Sequence, residues 1–208
     1  MKSLINAFVV GSIIDGIWSL VYILYFTSAH TQASALINWK SPGTYNLTLQ
    51  GTPAFAADSG MTGNGDYLKT GYIPSINGVN YSLTSVAYGT YAITHAEGDY
   101  LDMGASSVDG LYFTWTYSFA GGGGILAYLN ATEVLAIAGD PGPTSIGFTS
   151  AKTLAGTASL YKDGVLIGGP QSLATSSVID NEIYILTAHY GGGTFGDSPR
   201  KVAFSYLG

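Results

Sequence analysis

Two aromatic residues and a carboxylate flank a glycine-rich loop near the end of the chain, and their types suit the binding of a sugar. Tyr190, Phe195 and Asp197 surround the three consecutive glycines from Gly191 to Gly193. Aromatic rings offer apolar platforms and a carboxylate fixes hydroxyl groups, and ligand pockets generally combine apolar walls with a few polar groups. The alternative, which we favour from the sequence alone, is that the tyrosines pack between sheets or against neighbouring subunits, because tyrosine has an apolar body and a polar end.

A group of acidic residues could carry hydrolytic chemistry. Glu97, Asp99 and Asp102 lie within six consecutive residues, and retaining glycoside hydrolysis needs two carboxyl groups about 5–5.5 Å apart. In a regular strand, Glu97 and Asp99 lie on one face and Asp102 lies on the other, unless a bulge intervenes. We interpret this segment as an exposed loop before a strand, and we predict that the protein is not an enzyme.

Other histidine and acidic residues do not form a recognisable catalytic or metal-binding motif. His95 and His189 could pair as bases or metal ligands, but the chain has no G-x-S-x-G turn for a serine nucleophile. Calcium prefers oxygen ligands, which Asp58, Asp66 and Asp140 could supply, although no D-x-D-x-D-G loop is present. We therefore predict no catalytic residue, no metal site and no cofactor.

The composition excludes several classes of function. The chain has 208 residues, which suits a single β domain, and its lack of cysteine excludes disulfides and thiolate metal sites. Only 10% of the residues are charged, against about 25% in ordinary soluble domains, which suits a protein that buries surface against partners. The net charge of −6, with seven Lys and Arg residues, argues against a surface that binds nucleic acid or an anionic membrane, since such surfaces need clustered basic residues.

The apolar stretch over residues 5–26 leaves three alternatives open. It could be a membrane-spanning helix, a signal peptide, or amphipathic helices packed on the domain or on a partner. We favour packed helices, because an ionised Asp15 near the middle would cost several kcal/mol in lipid. A second short helix is predicted over residues 32–39. Apolar residues at helical spacing form the predicted assembly interface, which consists of Ile14, Ile17, Trp18, Val21 and Tyr25.

From Tyr45 onward the pattern changes to the two-residue period of β-strands. The clearest strand runs from Leu111 to Phe119, with aromatic residues at alternate positions. Further strands are predicted at residues 45–49, 81–95, 125–129, 133–138, 145–149, 183–190 and 201–207. Short strands separated by turn signals predict a sandwich or jelly roll rather than a parallel fold with crossover helices.

One hairpin can be predicted in register. Asp163-Gly164 lies between two apolar runs, and a type I′ turn requires positive φ at both central residues, which Asp-Gly readily adopts. The turn places Lys162 opposite Val165. It also places Tyr161 opposite Leu166 and Leu160 opposite Ile167.

The order of these elements resembles the concanavalin A-like, laminin-G-like jelly-roll proteins of tailed bacteriophages. The resemblance covers most of the chain and rests on GIWSLVYILYFTSAHTQASALINWK (16–40) as the N-terminal helical part, FAADSGMTGNGDYLKTGYIPS (55–75), YLDMGA (100–105), IGFTSAKTLAGTASLYKDGVLI (146–167) and IYILTAHYGGGTFGDSPRKVAFSYLG (183–208). It implies an all-β, concanavalin A-like jelly-roll β-sandwich with short N-terminal helices. We accordingly expect an N-terminal helical segment over residues 1–40, packed on the domain or on a partner, and the sandwich over residues 41–208.

The same resemblance implies a function. The chain would be a non-enzymatic component of a virion, in the tail, a fibre or a capsid-attached position, with a structural or host-adhesion role. Its partners would be other virion proteins and copies of itself, with a host surface glycan as a further partner. The alternative hypothesis is a lectin-like module that recognises a host glycan, and a third is a glycoside hydrolase that uses Glu97.

Overall fold

Strands dominate the chain, as the two-residue period predicts. The computed structural model describes residues 2–79, 81–96, 100–108, 113–118, 125–131, 135–136, 146–174 and 177–208. The helices are α1 (Lys2–Ile14), α2 (Gln32–Ala35) and α3 (Pro74–Asn77), with a short 3₁₀ turn at Trp18–Leu20. The strands are β1 (Ile23–Tyr25), β2 (Thr48–Gln50), β3 (Ala54–Ala56), β4 (Gly60–Thr62), β5 (Tyr67–Lys69), β6 (Ser85–Ala92), β7 (Tyr100–Ser106), β8 (Phe113–Ser118), β9 (Ile125–Ala131), β10 (Leu135–Ala136), β11 (Gly147–Leu154), β12 (Thr157–Lys162), β13 (Val165–Ser172), β14 (Tyr184–Ile185), β15 (Ala188–Tyr190), β16 (Gly193–Phe195) and β17 (Lys201–Leu207).

These strands form two sheets that pack face to face. The first sheet has the order β13-β12-β11-β6-β17-β4-β3, and β1 also pairs with β17. The second has the order β10-β9-β8-β7-β14-β5-β2, and β15 pairs with both β7 and β16. Neighbouring strands are antiparallel in the described ladders, except that β15 runs parallel to β7. The fold is a jelly-roll β-sandwich of the concanavalin A-like class, which confirms the predicted fold class.

The main core lies between the two sheets. Met61, Tyr88 and Leu160 enter it from the first sheet, and Leu68 and Met103 enter it from the second. All five side chains are fully buried. Burial of a large apolar side chain contributes about 1.5–3 kcal/mol relative to exposure, so this interior holds the two sheets together without any disulfide.

The predicted Asp-Gly hairpin is present between β12 and β13. Asp163 and Gly164 both have positive φ, at 50° and 80°. Lys162 lies opposite Val165 and Tyr161 lies opposite Leu166, as predicted. The third predicted pair is wrong, because a register shift follows Leu160, which lies opposite Gly168 instead of Ile167.

The last part of the chain forms more and shorter strands than the sequence pattern predicts. The strand predicted over residues 183–190 is interrupted at Leu186, which adopts a positive φ of 72°, so β14 and β15 are separate elements. The glycine-rich segment after Tyr190, predicted as a loop, contains β16. The strand predicted from Leu111 to Phe119 is present as β8, although both of its predicted end residues lie outside the described residues.

The predicted helical stripe from Ile14 to Tyr25 is wrong. Helix α1 ends at Ile14, and Gly16 follows with a φ of 73°, a left-handed conformation that is common just after a helix C-terminus. Residues 23–25 instead form β1, with Ile23 opposite Leu207 and Tyr25 opposite Ser205 of β17. The chain therefore joins the first sheet within the segment predicted as helical, because pairing with the last strand buries all three residues of β1.

Helix α1 contacts the face of the first sheet that points away from the core. The Phe8 ring lies 5.9 Å from the Phe26 ring and 6.1 Å from the Phe204 ring, between centroids. The helix has 13 residues. In the part of the chain that the structure describes, no helix is long and apolar enough to cross a membrane.

Candidate functional site

The aromatic residues predicted to bind a sugar meet on the short hairpin formed by β15 and β16. The register places Ala188 opposite Phe195 and Tyr190 opposite Gly193, so Tyr190 and Phe195 are diagonal neighbours on one face. Their ring centroids are 5.9 Å apart and their planes are inclined by 45°. Tyr190 is 44% exposed and Phe195 is 46% exposed. The pair, called here the hairpin platform, therefore presents an aromatic surface to solvent.

Asp197 lies two residues beyond the platform and is held by a buried hydroxyl group. Thr187 Oγ1 lies 2.7 Å from Asp197 Oδ1 and 3.1 Å from the carbonyl oxygen of Phe195, so its single proton is shared between two acceptors. Thr187 is fully buried, whereas Asp197 is half-buried. The carboxylate is thus fixed close to the Phe195 backbone in a residue that is partly exposed.

A buried ion pair anchors the segment that follows the hairpin. Asp102 Oδ1 on β7 accepts hydrogen bonds from Arg200 Nε at 3.0 Å and from Ser198 Oγ at 2.8 Å. Arg200 Nη2 donates to the other oxygen, Oδ2. At the start of the segment, the Leu101 N–H donates to the carbonyl oxygen of Gly196 at 2.7 Å. The segment that carries Asp197 is therefore attached to β7 at both of its ends.

The prediction that Asp102 lies in an exposed loop before a strand is wrong, because Asp102 lies on β7 and is buried. Both carboxylate oxygens of Asp102 accept hydrogen bonds from buried partners, so the group is not available as an acid, base or nucleophile. Glu97 and Asp99 lie outside the described residues.

A stack of three rings supports the hairpin, and the sequence analysis does not predict it. The Tyr67 and Tyr184 ring centroids are 4.8 Å apart, and the His189 ring lies parallel to Tyr184 within 2°, at 4.4 Å. Lys69 Nζ lies 5.5 Å from the Tyr184 centroid, within cation–π range. The two residues that flank Tyr184 are isoleucines buried in the core. Because side chains alternate along a strand, this pattern in the sequence places the Tyr184 ring on the outer face of the sheet. His189 thus belongs to this stack, whereas His95 lies in the segment after β6.

Burial changes the titration of two members of the stack. Burial lowers the pKa of His189 from its usual 6.5; Lys69 acts in the same direction, and Glu182 acts in the opposite direction. Burial also raises the pKa of Tyr184 to about 12, and the negative charge of Glu182 adds to this increase. Both rings are therefore neutral at pH 7, and the stack is an uncharged aromatic support.

The acidic residues considered as calcium ligands have other contacts. Asp58 Oδ2 lies 3.0 Å from His30 Nδ1 at the surface. Asp66 Oδ2 accepts a hydrogen bond from the Thr52 N–H at 3.0 Å, and Asp140 lies outside the described residues. Within the described ranges, no three His, Cys, Asp or Glu side chains lie close enough together to hold a metal ion.

The predicted assembly interface is only partly exposed. Ile14 is 78% exposed and Ile17 is 51% exposed, whereas Tyr25 is fully buried, so the placement of Tyr25 on an outer stripe is wrong. Trp18 and Val21 are half-buried. The two exposed isoleucines belong to a larger set of exposed side chains, called here the N-terminal apolar surface, which consists of Val10, Ile13, Ile14, Ile17 and Leu20.

Comparisons with known proteins identify similar folds. No family model matches the sequence, and no curated protein matches it. The structure is similar to the receptor-binding domain of botulinum neurotoxin C/D mosaic serotype, with a TM-score of 0.58, 13% identity, and coverage of 92% of this chain and 48% of that chain. It is similar to botulinum neurotoxin type C, which depends on two ganglioside molecules to enter cells (TM-score 0.54, 12% identity, coverage 93% and 49%).

A third similar structure is the sialidase of Trypanosoma rangeli, with a TM-score of 0.53, 11% identity, and coverage of 91% of this chain and 30% of that chain. This chain spans about half the length of the botulinum chains and less than a third of the sialidase. At these identities the similarity shows the fold alone, and that fold is a β-sandwich.

Proposed function

We propose that the protein is a non-enzymatic carbohydrate-binding domain and that its sugar site is the hairpin platform with Asp197. The observation that carries the proposal is the pairing of two half-exposed rings on one face of a hairpin beside a positioned carboxylate. A sugar ring stacks its C–H face on aromatic rings, and its hydroxyl groups donate to the carboxylate. The platform supplies the first contact and Asp197 supplies the second, which is the combination that ligand sites use.

The similar structures favour carbohydrate binding over a purely structural role. One of them is a toxin whose cell entry requires gangliosides, which are glycolipids, and another is a sialidase. The burial of Asp102 against Arg200 removes one of the three carboxylates on which the hydrolase hypothesis depends. A location in a virion stays a prediction from the sequence resemblance.

A glycan array tests the proposal. Wild-type protein should bind a subset of glycans, and Tyr190→Ala or Phe195→Ala should lower affinity for the best ligand about tenfold, since loss of a central aromatic contact costs roughly 1–2 kcal/mol. Tyr91→Ala is the matched control, because Tyr91 is a similarly exposed tyrosine on the first sheet. Absence of binding to every glycan, or equal loss in the control, would contradict the proposal.

A second candidate function, self-assembly, is favoured by the N-terminal apolar surface. Exposed apolar patches of this kind mark interaction sites in soluble proteins. The chain carries no charge between Lys2 and Asp15, whereas the whole chain has a net charge of −6. Two copies can therefore meet through α1 without placing like charges together, so we assign this surface to contact with a second copy of the chain.

A further inference from the structure

The sign of the charge beside the hairpin platform follows from where the cationic side chains of the protein lie. The chain has seven Lys and Arg residues, and every one of them belongs to a part of the chain that the structure describes. Asp197 adjoins the platform, because the Thr187 hydroxyl group that lies 2.7 Å from its Oδ1 also lies 3.1 Å from the carbonyl oxygen of Phe195. The cations near Asp197 therefore decide which charge a ligand can carry there.

The cation that is closest to Asp197 in the sequence is already compensated. Arg200 is 4% exposed, and its guanidinium donates to both carboxylate oxygens of Asp102 through Nε and Nη2. A guanidinium held in this way by a buried carboxylate does not face a ligand at the surface. The next residue, Lys201, belongs to β17 of the first sheet, where it lies opposite Thr62.

Lys69 is the cation that lies near the hairpin in the second sheet, and it lies on the side opposite the platform. Its Nζ is 5.5 Å from the centroid of the Tyr184 ring, and Tyr184 stacks on His189. Side chains alternate along a strand, so His189 and the adjacent Tyr190 point to opposite faces of the hairpin. The Lys69 charge is therefore directed to the His189 face and not to the platform.

The remaining lysines lie with the N-terminal segment or with the first sheet. Lys40 lies over the Trp18 ring at 4.7 Å. In the first sheet, Lys152 of β11 lies over the Tyr161 ring at 5.3 Å, and Lys162 of β12 pairs with Asp163 at 2.9 Å. Lys2 is the first residue of α1. Within the described part of the chain, the platform face thus combines two rings with a carboxylate and carries no cationic side chain.

We propose that the sugar site selects neutral glycans and rejects acidic ones, such as glycans that end in a sialic acid or a uronic acid. This inference rests on the proposed function, because it names the ligand class of that same site. The carboxyl group of an acidic sugar is ionised at about pH 7 and would meet Asp197 without a cation to bind it. The hydroxyl groups of a neutral sugar donate to the same carboxylate oxygens. The ganglioside and sialidase comparisons concern the fold alone, so they do not assign a ligand class to this site.

Matched pairs of glycans test the proposal on the full chain. Each pair consists of a neutral oligosaccharide and the same oligosaccharide capped with a sialic acid, and affinity is measured at about pH 7.5 and low ionic strength. The wild type should bind the neutral member at least about tenfold more tightly, because like charges brought together in a binding site repel each other. This ratio should decrease in about 1 M salt, which screens the repulsion, whereas the affinity for the neutral member should change little.

A charge-removing variant separates the effect of charge from the effect of ligand size. Asp197→Asn keeps an oxygen that accepts from Thr187 and removes the negative charge, so the ratio should fall to about threefold or less. Asp58→Asn is the matched control, because it removes the same charge from an exposed carboxylate between β3 and β4 of the first sheet. Its ratio should equal that of the wild type. The wild-type ratio and its salt dependence require no variant to fold.

The outcomes distinguish this inference from the proposed function. Equal or tighter binding of the sialylated members would overturn the inference, and the proposed function would stand if Tyr190→Ala abolishes that binding. A ratio that is unchanged in Asp197→Asn would also overturn the inference, because the selectivity would then not depend on this charge. Absence of binding to both members of every pair, or binding that Tyr190→Ala and Phe195→Ala leave intact, would overturn the proposed function and this inference together.

Discussion

At the scale of single residues, the candidate site depends on the ion pair between Asp102 and Arg200, which is buried. Asp102 and Arg200 are 1% and 4% exposed, and burial of each ion costs several kcal/mol unless hydrogen bonds and the opposite charge compensate it. Here Ser198 and Thr90 add two hydroxyl groups around the carboxylate. The pair joins β7 to the segment that carries Asp197. A carboxylate that sequence analysis connects with hydrolysis is thus a structural anchor.

Removal of the buried Asp102–Arg200 ion pair should destabilise the fold. Asp102→Ala removes the buried carboxylate that accepts from both Nε and Nη2 of Arg200, so the free energy of unfolding should fall by about 3–5 kcal/mol. Urea denaturation of the purified protein measures this change. His30→Ala breaks a surface contact with Asp58 and should change the same quantity by at most about 1 kcal/mol. A similar small change in both variants would show that the ion pair does not stabilise the fold.

At the scale of elements, the turn residues explain why the β12–β13 hairpin could be predicted and the β15–β16 hairpin could not. Asp163-Gly164 specifies a turn type, and the register next to the turn is as expected. The β15–β16 hairpin turns through consecutive glycines, which permit many turns and specify none. The break before it depends on Leu186 at a positive φ of 72°, which is rare for a bulky residue. Tertiary contacts, such as the Leu186 N–H donating to the Asp102 carbonyl, select that conformation.

The N-terminal strand β1 could not be predicted from the sequence. Apolar residues between Ile14 and Tyr25 recur at helical spacing, but β1 pairs with residues 205–207 at the other end of the chain. A partner so distant in sequence leaves no local pattern, and its pairing overrides helical propensity. The aromatic and acidic residues of the candidate site could be predicted because loop composition identifies them. The supporting stack and ion pair could not, because each joins residues far apart in the sequence.

The Asp-Gly turn gives a test at this scale. Gly164 has a φ of 80°, and an added Cβ there would meet no atom within 4 Å, so only backbone strain opposes substitution. Gly164→Ala should lower the free energy of unfolding by roughly 1–2 kcal/mol. Gly192→Ala is the matched control, since that glycine also has open space and no positive φ. Chemical denaturation measures the free energy of unfolding of both variants. Equal losses in Gly164→Ala and Gly192→Ala would show that the positive φ at Gly164 does not account for the effect.

At the scale of the whole molecule, an acidic sandwich carries two separate exposed apolar regions. The hairpin platform belongs to the second sheet, while the N-terminal apolar surface lies with α1 over the first sheet. One domain can therefore bind a ligand through one sheet and a second copy through the other. Assembly in this arrangement would present several sugar sites together, and linked sites gain avidity without any new contact.

Charge placed on the N-terminal apolar surface should prevent self-association. The double variant Ile14→Asp with Ile17→Asp adds negative charges that would face each other across a symmetric contact, so it should sediment as a monomer where the wild type associates. Sedimentation velocity over a range of concentrations measures this. Leu154→Asp is the control, because Leu154 is 65% exposed on β11. A monomeric wild type, or an unchanged double variant, would contradict assembly through α1.

The central claim is that a sugar binds on the hairpin platform beside Asp197. The most direct measurement is amide hydrogen exchange of the wild type at about pH 7.5, with and without the best ligand from the glycan array. Added protection should be concentrated in residues 187–197. It should be absent from the same residues of Tyr190→Ala at the same ligand concentration. Protection confined to another part of the chain, or equal protection in the variant, would contradict the claim.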